Sequence, residues 1–208
     1  MQGRIGLPSQ EADAAFYGTD CGLGNFSSKE GSRKVWAKYF GSLKTYRNGC
    51  FAGNWTFPEG SLERYKAKVV VLIVGGRNLL IEHQSPESVA RGIASCVDQI
   101  HQRSPQAKIL LVGIPLPVVG KSAPLPFGAN SEFAEDQVAK TKDLVAKLAD
   151  GKRVQYVDPR PNLLARKKEI EEGLAKETDV HEVTAIWEAI AESIAEPLQA
   201  MLKAEPAK

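Results

Sequence analysis

Six residues in this chain carry groups that could act on a bound molecule, and each follows a predicted strand or precedes the last predicted helix. Among them are a thiol, a carboxylate, an amide, a histidine and a glycine whose backbone N–H can donate. Such a set can supply a nucleophile, a base that takes its proton, and donors for an oxyanion, which are the parts that ester hydrolysis needs. The residues are Asp20, Cys21, Gly49, Arg77, Asn78 and His181.

The elements that would position these residues are clearest in the middle of the chain. Residues 68–74 and 108–114 are apolar without alternation, which is typical of strands covered on both faces. Between them, Ser85 followed by Pro86 marks the start of a helix, whose apolar residues recur at helical spacing up to Ser104. Two buried strands joined by a helix predict parallel pairing with a right-handed crossover.

Further elements follow a loop rich in proline and glycine at residues 115–130. Their apolar residues again recur at helical or strand spacing. They are a helix from Ser131 to near Gly151, a strand over 153–157 and a last helix over 184–203.

The first third of the chain is less regular. We predict a helix over 29–43 between short strands at 14–17 and 45–47, and the first of these strands is weak for a central position. The whole pattern predicts an α/β protein in which helices cover both faces of a mostly parallel sheet. We expect one domain over residues 1–203, followed by a polar tail at 204–208.

The overall composition limits the class of protein. The chain has 27 basic and 25 acidic residues, so it lacks the basic excess of a nucleic-acid-binding protein. No apolar run approaches the length of a membrane span, and residues 1–20 lack the apolar block of a signal peptide. The cysteines are odd in number and form no CxxC pair. We therefore expect a cytoplasmic protein that needs neither a metal nor another cofactor.

Two blocks in the second half resemble the SGNH (GDSL-type) hydrolase family, nearest to its platelet-activating-factor acetylhydrolase-like branch. Gly76-Arg77-Asn78, directly after an apolar strand, stands where the family has Gly-x-Asn. Asp179-Val180-His181, followed by a helix with Trp187, stands where the family ends in Asp-x-x-His and a helix with Trp-Ala. The resemblance spans residues 14–202 and implies a three-layer α/β/α sandwich with a flavodoxin-like sheet.

The resemblance also implies roles for several residues. His181 matches the family's general base, and Asn78 matches its oxyanion asparagine. Gly49 matches the oxyanion glycine, with Gly53 as an alternative. For Arg77 the sequence leaves open a solvated side chain, a pair with Asp20, or an anionic ligand.

The nucleophile block departs from the family pattern. The family has Gly-Asp-Ser-(Ile/Leu)-x-x-Gly, whereas residues 18–24 read Gly-Thr-Asp-Cys-Gly-Leu-Gly. Aligning the two glycines puts Asp20 in the serine's place, and a shift of one residue puts Cys21 there. Thr178 stands at the position of the family's acid, so Asp179 can orient the histidine only if the turn is locally altered.

Two functions follow from this comparison. The first is hydrolysis of acyl or acetyl esters in a small molecule or an acylated substrate, with Cys21 or an unrecognised serine as the nucleophile. The second is a binding or scaffolding module that keeps the fold without catalysis, because the motif serine and aspartate are absent. From the resemblance alone we also expect a homodimer.

Overall fold

The computed structural model describes residues 12–18, 30–49, 55, 57, 59–115, 131–176 and 183–204. In these residues one sheet forms from parallel strands, namely β1 (Ala14–Gly18), β2 (Thr45–Gly49), β3 (Val69–Ile73), β4 (Lys108–Val112) and β5 (Val154–Val157). The strand order is β2-β1-β3-β4-β5, the doubly wound order of flavodoxin-like folds. The predicted parallel sheet is therefore confirmed.

Helices cover both faces of this sheet, which completes three layers. They are α1 (Glu30–Phe40), α2 (Ser61–Tyr65), α3 (Gly76–Leu80), α4 (Pro86–Arg103), α5 (Ser131–Val145), α6 (Arg160–Ala165), α7 (Lys167–Leu174) and α8 (Thr184–Lys203). Side chains of α4 and α5 bury one face, and side chains of α1 and α8 bury the other. The predicted α/β/α sandwich is confirmed.

The residues of β3 explain why its sequence is apolar throughout. Val69, Val71 and Ile73 belong to the core between the sheet and helices α1 and α8. Val70 and Leu72 belong to the opposite core, under α4. Because both faces are covered, all five residues of the strand are buried and none needs a polar side chain.

β1 lies in the interior of the sheet, between β2 and β3, although its sequence is weak for a central strand. Its two aromatic residues supply the packing that its alanines lack. The Phe16 ring meets the Trp36 ring edge-on at 4.3 Å on one face, and the Tyr17 ring meets Phe57 at 4.9 Å on the other. Both aromatic side chains of β1 are at most 1% exposed, so distant partners decide the position of this strand.

Four short helices were not predicted, namely α2, α3, α6 and α7. Each is eight residues or shorter, and such lengths leave too few repeats for a helical period to be recognised. Of these, α3 matters most for the site, because it begins within three residues of the end of β3.

Candidate functional site

The register of the sheet brings the ends of three strands together at one edge. Gly18 at the end of β1 pairs with Gly49 at the end of β2 and with Ile73 at the end of β3. Because the pairing is parallel, the chain leaves all three strands at this same edge, which is where doubly wound sheets bind ligands. Gly49, one of the predicted oxyanion donors, thus lies beside the strand end that leads into residues 19–21.

Asn78 lies at the same edge, in the short helix α3 that follows β3. The turn into α3 depends on Gly75, whose φ of 101° lies in the left-handed region. A Cβ at Gly75 would also lie 2.8 Å from Cγ1 of Val89. Asn78 itself is 3% exposed, so its amide is a buried polar group that needs a hydrogen-bond partner.

The partner of Asn78 is Glu82, a residue that no sequence prediction included. Asn78 Nδ2 donates to Glu82 Oε2 at 3.0 Å. Arg77 Nε donates to Glu82 Oε1 at 3.3 Å, so the described partner of Arg77 is this carboxylate. Glu82 follows Asn78 by four residues, a spacing at which side chains meet on a helix. This spacing is the feature of the sequence from which the contact could have been predicted.

A cleft of about 470 Å³ opens further along this edge, at the ends of β4 and β5. Ile114 links it to the start of α3, because this side chain lines the cleft and would lie 3.5 Å from a Cβ built on Gly76. Val138 and Ala139 of α5 form part of an apolar wall. The cleft therefore offers apolar surface close to the start of α3.

Ion pairs line the rim of the cleft. Lys142 Nζ pairs with Asp158 at 2.7 Å, and the neighbouring carboxylate raises the pKa of this lysine. Arg160 pairs with Glu135 at 3.4 Å. The Tyr156 hydroxyl is buried in the wall and has no hydrogen-bond partner among the described residues, and desolvation raises its pKa. The rim thus carries both signs of charge, while the wall is apolar.

Several predicted site residues lie outside the described part of the chain. They are the candidate nucleophiles, the alternative oxyanion glycine, the orienting acid and the base, namely Asp20, Cys21, Gly53, Asp179 and His181.

The elements on both sides of the histidine segment are described, and they lie close together. A Cβ built on Gly173 of α7 would lie 2.6 Å from Cγ1 of Val183, the residue that precedes α8. Arg166, before α7, donates to Glu192 of α8 at 2.6 Å. The end of α7 and the start of α8 are therefore neighbours in the fold.

The described cysteine, Cys96, is not suited to nucleophilic chemistry. It belongs to α4 and is fully buried, and this burial raises the pKa of its thiol to about 12. Its Sγ lies 3.6 Å from the backbone oxygen of Trp55. A reactive thiol needs access and a lowered pKa, so Cys96 is a core residue.

Two further findings concern only the part of the chain that the structure describes. No group of three His, Cys, Asp or Glu side chains there could hold a metal ion. None of the helices there is long and apolar enough to cross a membrane.

Comparison with known proteins agrees with this architecture. Residues 28–181 match the GDSL-like lipase/acylhydrolase family, which is well over half of the chain. The chain therefore belongs to this family. The matched region begins after residues 18–24, the segment that stands at the family's nucleophile block.

Curated relatives are named as platelet-activating factor acetylhydrolases. The IB subunit beta homolog of Drosophila melanogaster is 29% identical over 199 residues, which cover 93% of this chain and 78% of the fly protein. The human IB subunit alpha2 is 35% identical over 97 residues, which cover 44% of this chain and 41% of the human protein. Similarity to the human protein thus extends over less than half of either chain.

Solved structures share the fold at low sequence identity. A GDSL-like lipase from Bacteroides thetaiotaomicron aligns with a TM-score of 0.59 at 14% identity, covering 92% of this chain and 88% of its own. A carbohydrate acetylesterase family member from Sinorhizobium meliloti aligns with a TM-score of 0.55 at 16% identity, covering 94% of this chain and all of its own. These likenesses concern the fold alone.

Proposed function

We propose that this protein hydrolyses acyl or acetyl esters at the edge of the sheet where β1, β2 and β3 end. The observation that carries the proposal is the buried Asn78 amide beside that edge, together with the Gly18–Gly49 register. In the family, an asparagine side chain and a glycine N–H stand at these places as oxyanion donors. Family membership supports an esterase-type reaction at the same edge.

The proposed mechanism uses a histidine-assisted nucleophile. His181 takes the thiol proton of Cys21, and the sulfur attacks the carbonyl carbon of the ester. The Asn78 amide and the Gly49 N–H stabilise the oxyanion that forms. When the intermediate collapses, the alcohol leaves with the proton from His181, and water then hydrolyses the thioester to release the acid and restore the thiol. Asp179 orients the histidine.

The substrate class follows from the relatives and from the cleft. The relatives' name, platelet-activating factor acetylhydrolase, supports an acetyl ester as the scissile group. The cleft beside Ile114 has room for the remainder of the substrate, with apolar surface below and charges of both signs at the rim. We therefore propose a small or acylated ester, with no cofactor and no metal in the reaction.

The test is hydrolysis of para-nitrophenyl acetate and butyrate by the purified protein and by single variants. Loss of activity in both Cys21→Ala and His181→Ala would support the proposed thiol mechanism. Asn78→Ala should lower kcat by about 10²–10³-fold, as expected for removal of one oxyanion donor. Cys96→Ala is the matched control for Cys21→Ala, because the Cys96 thiol is buried, and it should leave kcat unchanged. Full activity in both Cys21→Ala and His181→Ala would contradict the proposed roles.

A second candidate function is a binding or scaffolding module without catalysis. It is favoured by Asp20, which takes the serine's place when the two motif glycines are aligned. A carboxylate is a poor nucleophile for this reaction, and an enzyme that lacks triad members keeps only about 10³–10⁴-fold catalysis over water. An inactive parent that gains esterase activity in Asp20→Ser would favour this alternative, since the oxyanion donors would then be in place without a nucleophile.

A further inference from the structure

The carboxylate of Glu82 gathers three side-chain donors at the end of β3. Besides Asn78 Nδ2 at 3.0 Å, Gln84 Nε2 donates to the same oxygen, Oε2, at 3.2 Å. Arg77 Nε donates to the other oxygen, Oε1, at 3.3 Å. Since both oxygens are bound, the carboxylate has a defined orientation relative to the Asn78 amide.

The backbone brings Glu82 back towards α3. The Glu82 N–H donates to the Arg77 carbonyl at 3.1 Å, and the Gln84 N–H donates to the Asn78 carbonyl at 2.9 Å. Between them, His83 has a φ of 51°, in the left-handed region that non-glycine residues rarely adopt. The reversal of the chain therefore places the carboxylate beside Asn78, and the contact does not depend on a long flexible side chain alone.

We propose that Glu82 is a positioning residue that sets which end of the Asn78 amide faces the reacting carbonyl oxygen. This inference rests on the proposed esterase function. An ionised carboxylate only accepts hydrogen bonds, so it binds the NH₂ end of Asn78 and excludes the Oδ1 end. Nδ2 carries two hydrogens, and the amide is planar. When one hydrogen is bound to Glu82, the direction of the other is fixed, and it can point to the reacting carbonyl oxygen. Without this partner, the broad χ2 torsion of asparagine would let the amide rotate away.

Arg77 compensates for the charge of this carboxylate. A negative charge near the carbonyl oxygen would by itself oppose formation of the oxyanion. The guanidinium of Arg77 lies against Glu82 Oε1, on the oxygen that Asn78 does not use. The pair can therefore orient the amide while adding little net negative charge at the site.

The first arm of the test reads the amide directly. The Asn78 side-chain NH₂ pair is assigned in a ¹H–¹⁵N spectrum of the intact protein as the pair missing from Asn78→Asp. In the parent we expect one of its protons shifted downfield by the carboxylate. In Glu82→Gln that shift should be lost, because the glutamine amide is uncharged and can also present donors to Asn78. Glu172→Gln, which removes an exposed carboxylate paired with Lys168 on α7, is the matched control and should leave the pair unchanged.

The second arm measures kinetics with para-nitrophenyl acetate, in the parent or, if the parent is inactive, in the Asp20→Ser background. Glu82→Gln should lower kcat by about 10-fold with little change in KM, a smaller effect than removal of the donor itself. An unchanged Asn78 NH₂ pair in Glu82→Gln would overturn the inference. So would a shifted pair with unchanged kcat, because Glu82 would then serve only the local structure.

The two arms separate this inference from the proposed function. If neither the parent nor Asp20→Ser hydrolyses the ester, the proposed esterase function fails, and with it the catalytic part of the role of Glu82. The spectrum of Glu82→Gln still decides whether Glu82 orients the Asn78 amide. Esterase activity that does not respond to Glu82→Gln would leave the proposed function standing and refute the positioning role.

Discussion

Replacement of Gly113 by alanine should destabilise the protein because of one rigid neighbour. Gly113 follows β4, and the Tyr156 hydroxyl lies next to the position that a Cβ on Gly113 would occupy. A Cβ at Gly113 would lie 3.3 Å from Tyr156 Cζ and 3.2 Å from Pro159 Cδ, and closer still to the hydroxyl oxygen, well inside van der Waals contact. A tyrosine ring cannot bend, so the whole side chain or the strand must move.

The magnitude follows from the cost of overpacking. Inserting a methyl group into a well-packed region costs about 1–3 kcal/mol. For a domain of this size, each kcal/mol lowers Tm by about 2–4 °C, so Gly113→Ala should lower Tm by roughly 2–12 °C. Urea unfolding followed by circular dichroism gives the free energy of unfolding, and calorimetry gives Tm.

Tyr156→Phe provides the decisive comparison. The variant removes the hydroxyl oxygen, which is buried and has no partner in the part of the chain that the structure describes. By itself it should therefore be neutral or stabilising by about 1 kcal/mol. In the double variant the worst contact is gone, and we expect a coupling free energy of about 1–2 kcal/mol between the two substitutions. Gly76→Ala is the control, because its Cβ would meet only Ile114 at 3.5 Å. Equal destabilisation by Gly113→Ala with and without the hydroxyl would show that the contact with Tyr156 is not the cause.

Two further predictions concern a buried lysine and a partly buried histidine. Lys108 is 7% exposed, and its Nζ donates to the carbonyls of Met201 and Ala204 at 2.9 and 2.6 Å. Lys108→Met should therefore lower the free energy of unfolding by about 2–3 kcal/mol. An unchanged midpoint of urea unfolding would contradict this prediction. Desolvation, followed by the charge of Arg153, lowers the pKa of His101 below its ordinary 6.5. The unfolded chain therefore binds more protons, and stability should fall as pH drops below 6.5. The decrease in the urea midpoint between about pH 7.5 and pH 5.5 should be smaller in His101→Gln, and an equal decrease in both proteins would contradict the assignment.

The middle of the fold could be read from the sequence because its signals are local. The apolar runs of β3 and β4 are covered on both faces, and this coverage removes any alternation from the sequence. The start of α4 was also predictable. Its cap, Ser85, accepts a hydrogen bond from the Ser88 N–H at 3.2 Å, and Pro86 occupies the first turn.

The central place of β1 could not be predicted, because the contacts that stabilise it join residues far apart in the chain. Ala14 and Ala15 give a weak strand signal. Trp36 packs on one side of the strand and Phe57 on the other, and neither contact has a signature in a short window of sequence. Only the packing of the complete sheet reveals that this strand is buried on both faces.

For the candidate site, the residue types and their places after the strands could be predicted from the sequence alone. Asn78 after β3 and Gly49 at the end of β2 could be identified because parallel strands end at one edge of the sheet, whatever the order of the strands. The hydrogen-bond partner of Asn78, in contrast, depends on the three-dimensional fold. The chain reversal at His83 brings Glu82 within 3.0 Å of the amide, and the direction of that turn depends on backbone angles and hydrogen bonds that residue types do not specify.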